Sequence, residues 1–333
     1  FRRVLFRSWL AGDLQSHTHH SDARASVAQL GRVARDRALD FLAVTDHNTI
    51  SHHRDLAAQT DSTFLLIPGM EITTYYGHAN VWGLHRWIDF RFATADDAAR
   101  AVADAHEQRA LVSINHPHTD CPWEYGWISG FDSIEVWQGL WNTANLAAVH
   151  WWDSLLAKGV RVTGVGGSDR HEPSHYDPLF PHQVGTPTTR VRADRLDTAS
   201  VLAAIRQGRV TISAAPDAPW LDLSLASADG HDAGIGETLT VARGGRAVIT
   251  CRVTGPTGHT LEIVRNGAVV ERVEMTAEVH EASLVVDEPG YVRANLVAGP
   301  PREYDGDHYP HYLALTNPIF IETDPAAGGH GGR

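Results

Sequence analysis

The sequence contains few cysteines and no excess of positive charge, and each shortage excludes a class of protein. Only two cysteines, Cys121 and Cys251, occur among 333 residues, and without a CxxC spacing they exclude a thiolate zinc site and a disulfide framework. The 28 Lys and Arg residues are outnumbered by 40 Asp and Glu residues, which gives a net charge of -12. A chain this acidic binds phosphate backbones poorly, so we expect no nucleic-acid partner and instead a pocket suited to cations.

Long apolar runs are also missing. The sequence opens FRRVLFRSWL, and no stretch is apolar for long enough to form a signal peptide or a membrane span. We therefore expect no membrane partner and a cytoplasmic location. The sequence leaves the oligomeric state open.

The first part of the chain has the pattern of an α/β domain. From residue 12 to about residue 215, short apolar runs alternate with segments of helical period. This alternation predicts βα units around a parallel sheet. Ser26 is expected to cap one helix, and Gly159 to follow the end of another.

The pattern changes after Pro216, where short alternating strands follow one another without a helix. The pair Asn266 and Gly267 predicts a hairpin turn between two of these strands. We therefore predict a second domain that is a β-sandwich. The predicted divisions are an α/β domain at residues 9–215, the β-sandwich at 216–324 and a flexible tail at 325–333.

Side chains of metal-ligand type follow nearly every predicted strand of the first domain. Because the carboxyl ends of parallel strands share one face of an α/β fold, residues remote in sequence should meet there. His, Asp and Glu without Cys form a donor set that suits zinc, manganese or iron. The residues concerned are Gln15, His17, His19, His20, Asp22, Asp46, His47, Glu71, His78, His116, His118, Asp169 and His171.

The motifs around these residues resemble those of the PHP (polymerase and histidinol phosphatase) superfamily of metal-dependent hydrolases. They occur in the order DLQSHTHHSD, TDHN, PGMEIT, GHANVWGL, NHPH and GSDRH. The stretches IEVWQG and ALTNPIFIE are similar to the CehA/McbA branch, which is named for carbaryl hydrolases. The resemblance implies a distorted (β/α)7 barrel with up to three metal ions at the carboxyl ends of its strands.

The resemblance also implies a set of ligands for one to three divalent ions of manganese, zinc or iron. The implied ligands are His17, Glu71 and Asp169 for a first ion; Glu71, His78 and His116 for a second; and Asp22, His47 and His171 for a third.

Gln15 departs from the family pattern, in which the first motif is His-x-His. A neutral amide oxygen is a poorer donor than imidazole, so the first ion should bind weakly or be absent, with Gln15 as its fourth candidate ligand. His19 and His20 are the available substitutes. We expect both to line the mouth of the site instead, because they point elsewhere on an extended strand end.

The implied reaction is hydrolysis of a small-molecule ester by metal-activated hydroxide, and we expect phosphate mono-, di- or triesters as substrates. Asp46 is expected to act behind a ligand, orienting His47 or accepting a proton. His118 and Arg170 are expected to contact substrate oxygens. Carbamate or carboxylic ester hydrolysis needs the same chemistry and remains an alternative, and a non-catalytic metal- or sugar-binding protein is a lesser one.

Two further features leave alternatives open. A group of aromatic side chains either walls a pocket for an aryl leaving group or packs inside the barrel. These aromatic residues are Trp123, Tyr125, Trp127, Trp137 and Trp141. The β-sandwich either supports the barrel or also lends a loop near residues 305–311 to the rim of the site.

Overall fold

The structure is a computed structural model. It describes residues 8–172, 183–299, 302–304 and 307–324. The predicted flexible tail lies outside the described residues, and so do residues 305 and 306 of the loop expected at the rim. In the described part, no helix is long and apolar enough to cross a membrane.

Strands and helices alternate through the first part of the chain. The strands are β1 (Ser8–Asp13), β2 (Phe41–Val44), β3 (Leu65–Thr74), β4 (Gly77–Trp82), β5 (Leu111–Ile114), β6 (Ser133–Gln138), β7 (Thr163–Gly167), β8 (Thr188–Ala193) and β9 (Val210–Ser213). The helices are α1 (Val27–Asp36), α2 (His53–Leu56), α3 (Ala95–Glu107), α4 (Thr143–Ala157) and α5 (Thr198–Arg206).

One hydrogen-bonded sheet connects these strands in the order β9, β8, β1, β2, β3, β4, β5, β6, β7. β1 to β3 are parallel to one another, and β5 to β7 are parallel as well. β4 runs antiparallel to both of its neighbours, β3 and β5. The amino end of β4 therefore lies at the same edge of the sheet as the carboxyl ends of β2 and β5.

The sequence pattern predicted most of these elements. Each predicted strand run in this part coincides with one of β1 to β8. Ser26 caps α1, accepting a hydrogen bond from the backbone of Gln29, and Gly159 follows α4 with a positive φ of 82°. α2, α3 and β9 had no prediction, although Thr94 followed by Asp97 forms a capping box that marks the start of α3.

Closure of the sheet into a barrel remains a prediction. Within the described residues β1 and β7 share no ladder, and their continuations meet through one parallel bridge between Ser16 and Arg170. Two backbone hydrogen bonds accompany it, from His17 N to Arg170 O at 3.2 Å and from Asp169 N to Gln15 O at 3.0 Å. This contact joins the segment after β7, the last strand in the order, to the segment after β1 at the edge that carries the predicted ligands.

The second part of the chain is built from strands. They are β10 (Trp220–Ser227), β11 (Asp232–Gly234), β12 (Thr238–Ala242), β13 (Gly245–Thr254), β14 (Thr260–Arg265), β15 (Ala268–Glu274), β16 (Val279–Val286), β17 (Gly290–Val297), β18 (Arg302–Tyr304), β19 (Asp307–Tyr309), β20 (Tyr312–Thr316) and β21 (Ile319–Asp324). The turn between β14 and β15 confirms the predicted hairpin, since Asn266 and Gly267 have φ values of 51° and 83°.

Two layers of strands enclose a second apolar core. One layer has the order β11, β10, β13, β16, and the other contains β12, β21, β17 and β20 with β14 and β15 beside β17. Inward-facing side chains such as Leu223 and Ile249 pack against Ile263 and Ala294 from the opposite layer. β20 also pairs with β9, so one sheet runs through both parts of the chain. The predicted division at residues 215 and 216 remains a prediction.

A buried ion pair joins the two parts. Arg293 on β17 is 2% exposed, and its guanidinium contacts both carboxylate oxygens of Asp153 on α4, at 2.9 Å and 2.6 Å. The hydroxyl of Tyr291 donates a third hydrogen bond to Asp153 Oδ1 at 2.8 Å. The second part thereby holds the helix that follows β6.

Asp153→Ala should destabilise the folded protein by about 3–5 kcal/mol, because the Arg293 charge would remain buried without its partner. Chemical unfolding measures the loss. Exposed Asp217 provides the control, and Asp217→Ala should change stability by about 0.5 kcal/mol or less. Equal effects of the two substitutions would contradict a role for the ion pair in joining the parts.

Candidate metal centre

Glu71 lies at the centre of a polar cluster at the ligand-bearing edge of the sheet. Its carboxylate is fully buried and contacts four imidazoles. Oε1 lies 3.0 Å from His78 Nδ1 and 3.6 Å from His116 Nε2, and Oε2 lies 3.3 Å from His17 Nε2 and 3.4 Å from His47 Nδ1. The two oxygens of one carboxylate therefore face two different pairs of histidines.

The elements explain how these side chains meet. His17, His47 and His116 follow the carboxyl ends of β1, β2 and β5, whereas His78 is the second residue of antiparallel β4. Glu71 had been expected at the end of its strand, but it lies inside β3, because β3 continues as a hairpin with β4 beyond the edge of the neighbouring strands.

Three groups of ligand atoms lie within 4.8 Å of one another among the described residues. They are His17, Glu71 and Asp169; Glu71, His78 and His116; and His17, Asp22, His47 and His171. The first two groups have the membership implied by the sequence motifs, and the third adds His17 to it. Since Glu71 and His17 each belong to two groups, the groups form one continuous centre.

The third group is organised around stacked imidazoles. The ring of His17 packs against those of His47 and His171, with centroid distances of 4.4 Å and 4.1 Å, and the latter two rings are 5.6 Å apart, so the three form a compact triangle. Asp22 Oδ1 lies 3.2 Å from His171 Nε2 and 3.6 Å from His47 Nε2. Asp22 is the most exposed member of the group and lies on its solvent side.

The donor atoms of this centre fit a divalent cation. Three buried atoms of these ligand groups make no hydrogen bond of good geometry among the described residues, although two of them lie near charged groups of the cluster: His17 Nδ1, and, near such groups, Glu71 Oε2 and His78 Nδ1. Buried polar atoms are normally satisfied, and a fully buried carboxylate needs compensating positive charge. Carboxylate and imidazole donors without thiolate suit zinc, manganese or iron.

The ionisation of the cluster depends on its mutual contacts. Burial lowers the pKa of His17, but its hydrogen bond with Asp169 and the charge of Glu71 outweigh burial and raise that pKa to about 9. His116 also reaches a pKa of about 9, because its contact with Glu71 outweighs burial. Burial would raise the pKa of Glu71, but His116 and His78 hold it well below the usual range. A cation and these protons therefore compete for the same centre.

Two ligand candidates have unusual backbone conformations. His116 has a φ of 22° and Asp169 a φ of 52°, both in the left-handed region that side chains other than glycine rarely occupy. Conformations of this kind are held in place by surrounding contacts and occur often at functional sites. One such contact runs from His116 N to a carboxylate oxygen of Glu135 at 2.8 Å.

Asp46 contacts a different part of the site from the one predicted. Its carboxylate accepts hydrogen bonds from Thr18 and Ser21 at 2.6 to 2.7 Å and lies 3.0 Å from His52 Nδ1. Burial would raise the pKa of Asp46, but His52 and the hydroxyl groups hold it below its usual range. These contacts tie Asp46 to the loop after β1, and its expected role in orienting His47 or accepting a proton remains a prediction.

The other two catalytic candidates occupy contrasting positions. His118 is exposed, and its ring packs edge-on against Trp151 at 5.9 Å. Arg170 is 4% exposed, and its backbone carbonyl accepts the hydrogen bond from His17 N. Neither belongs to a group of ligand atoms, so their contact with substrate oxygens remains a prediction.

Gln15, His19 and His20 follow β1 but differ in their positions. Gln15 is buried, and its amide nitrogen donates to Asp169 Oδ1 at 3.1 Å. His19 is exposed, and His20 lies against Ser51 and Asp55, with ring nitrogens 2.8 Å and 3.2 Å from their oxygens. Neither histidine joins a group of ligand atoms among the described residues, and their place at the mouth of the site remains a prediction.

Two residues of the site on β6 had no predicted role. Glu135 is 3% exposed beside His116, and Gln138 donates to Asp169 Oδ2 at 2.9 Å. Strict alternation would put positions 135 and 138 on opposite faces of a strand. The pairing of β6 with β7 shifts by one residue between Glu135 and Trp137, and this bulge lets both polar side chains reach the centre.

Of the five aromatic residues that were expected either to wall a pocket or to pack, three are buried and two are partly buried. Trp123, Trp137 and Trp141 are at most 8% exposed and belong to the main core, which favours packing for these three. Tyr125 and Trp127 are partly buried against the same core. Trp141 also donates a hydrogen bond to Pro310 O at 2.7 Å, so a segment of the second part reaches the loop that follows β6.

Comparisons with known proteins bear on the fold. No family model matches the chain, and no curated protein matches its sequence. A two-domain protein from Bacteroides vulgatus, containing a predicted PHP-like metal-dependent phosphoesterase, is 17% identical with a TM-score of 0.50. The likeness covers 92% of this chain and 95% of that chain. At this identity the likeness shows the fold alone.

Two other solved structures are similar over about half of this chain. A metal-dependent phosphoesterase candidate from Bifidobacterium adolescentis is 14% identical with a TM-score of 0.39, over 52% of this chain and 91% of that chain. An amidohydrolase from Chromobacterium violaceum, with bound sulfate and no metal, is 16% identical with a TM-score of 0.35, over 49% of this chain and 88% of that chain.

Proposed function

We propose that this chain, whose fold is similar to that of a two-domain protein containing a predicted PHP-like phosphoesterase, is a metal-dependent hydrolase that cleaves phosphoester bonds of small molecules. The observation that carries the proposal is the continuous centre in which Glu71 and His17 each belong to two groups of ligand atoms. Bound divalent cations would supply a water nucleophile at neutral pH and offset negative charge on substrate oxygens. Their identity and number are part of the proposal, with manganese, zinc or iron as candidates.

The proposed role of each residue follows from its position in the site. Glu71 holds the centre together, because each of its oxygens faces one pair of histidines. Asp22 and His171 are the more exposed residues of the centre, so an ester can approach from their side. His118 and Arg170 are proposed to contact substrate oxygens. The contact between Ser16 and Arg170 supports closure of the sheet into a distorted barrel.

The preference for phosphoesters is open to a direct assay. Protein loaded with Mn²⁺ or Zn²⁺ should be tested against aryl phosphate monoesters, diesters and triesters beside aryl carbamates and carboxylic esters. We expect turnover of at least one phosphoester class. His116→Ala protein, purified in the same way, should be inactive and so controls for contaminating esterases.

The remaining outcomes separate the alternatives. Turnover of carbamates or carboxylic esters alone would contradict the phosphoester proposal and agree with the CehA/McbA branch. If no activated ester is hydrolysed after reconstitution with either metal, the hydrolase proposal is wrong and a metal- or sugar-binding role is favoured.

A further inference from the structure

Asp169 is held by two carboxamides, one on each oxygen of its carboxylate. Gln15 Nε2 donates to Oδ1 at 3.1 Å, and Gln138 Nε2 donates to Oδ2 at 2.9 Å. His17 Nε2 also lies 2.8 Å from Oδ1. With both oxygens engaged by fixed donors, the plane of the carboxylate is determined even though Asp169 follows the end of its strand in a left-handed conformation.

Neighbouring residues hold the backbone of Gln138 and pack closely against Gln15. The buried side chain of Asn145 accepts a hydrogen bond from Gln138 N at 2.8 Å and donates one to Gln138 O at 3.0 Å. Gln15 packs against Gly167, where an added Cβ would lie 2.7 Å from Gln15 Cβ and 2.5 Å from Glu135 Oε1. Position 167 therefore admits no side chain beside Gln15 and Glu135.

The orientation of the Gln15 amide follows from charge. A carboxylate oxygen accepts hydrogen bonds only, so the nitrogen end of the amide faces Asp169 and the oxygen end faces away. The position that the family motif gives to a metal-ligating histidine thus holds a hydrogen-bond donor to another ligand. This exchange leaves His17, Glu71 and Asp169 as the group around the first predicted ion.

We propose that Gln15 and Gln138 are positioning residues that clamp Asp169. The affinity of the first ion depends on this clamp, because this ion has three protein ligands. The inference rests on the proposed metal-dependent function. Donors behind a metal ligand typically change metal affinity by about 10- to 100-fold when they are removed. The first ion is therefore the weakest bound and the one whose affinity responds to the two glutamines.

Calorimetric titration of the metal-free protein with Mn²⁺, together with elemental analysis, tests the clamp without any turnover. Gln138→Leu and Gln15→Leu should each raise the dissociation constant of the weakest ion about 10- to 100-fold and leave the tighter ions unchanged. Gln15→His should tighten the weakest ion or add one Mn²⁺ per chain, since imidazole replaces a donor by a ligand. Gln59→Leu, at the end of a short 3-10 helix, is the control.

Gln138→Asn covers the case in which Gln138→Leu does not fold, because it keeps the amide but is one methylene too short to reach Asp169. The clamp is contradicted if both Gln138 variants bind all ions within twofold of the unaltered protein. It is also contradicted if all ions weaken equally and the melting temperature of the metal-free protein falls. Unaltered protein that binds Mn²⁺ with the expected responses but hydrolyses no ester would refute the proposed function and leave the clamp intact.

Discussion

Glu71→Gln should reduce the hydrolytic rate by about three orders of magnitude or more, which corresponds to at least about 4 kcal/mol of activation free energy. The substitution keeps the size of the side chain but removes the charge that faces four imidazoles. Because Glu71 belongs to two of the three groups of ligand atoms, its loss should weaken more than one ion. The bound metal measured by elemental analysis should therefore fall together with the rate.

The control for this variant is Glu124→Gln, which removes an exposed carboxylate from the loop after His116. Its rate and its metal content should stay within about twofold of the unaltered protein, in line with the small effects of most surface substitutions. Glu71→Gln protein that keeps its full metal content and rate would show that Glu71 is not the shared ligand.

Removal of metal should abolish activity and lower stability together. Stripping with a chelator leaves the buried carboxylates of Glu71 and Asp169 dependent on protonated histidines. With free metal at about a thousandfold above its dissociation constant, binding to the folded state alone contributes about 4 kcal/mol per site. Thermal unfolding before and after the return of Mn²⁺ or Zn²⁺ should show a rise in melting temperature that parallels recovered activity.

The affinity for metal should increase between pH 7 and pH 9. In the metal-free protein, His17 and His116 have pKa values raised to about 9, so both rings carry protons at neutral pH. Metal binding must displace these protons, and as pH rises toward 9 fewer remain to be displaced. Titrations that give the same dissociation constant at pH 7 and at pH 9 would contradict this competition.

The sequence predicted most elements of the first part because their signals are local. Apolar runs, the cap at Ser26 and the glycine after α4 depend only on neighbouring residues. The convergence of His17, Glu71, His78 and His116 was also accessible, since the topology of α/β folds brings strand ends to one edge. Antiparallel β4 fits this rule because its amino end lies at that edge.

The contacts behind the ligands could not be predicted, because they depend on exceptions to strand geometry. The one-residue shift in the pairing of β6 brings Glu135 and Gln138 to the same centre, and strict alternation would have separated them. The partner of Asp46 was also inaccessible, because the sequence gives no sign that the loop after β1 folds back onto it. Closure of the sheet into a barrel stays a prediction, and the bridge between Ser16 and Arg170 that supports it joins residues remote in sequence.

Anomalous diffraction from crystals grown with Mn²⁺ or Zn²⁺ tests the central claim most directly. We expect anomalous peaks inside the cluster, with one peak within bonding distance of Glu71, His78 and His116 and another beside His17 and His47. Peaks confined to surface histidines such as His19, with Glu71 contacting no metal, would contradict the claim that this cluster is a hydrolytic metal centre.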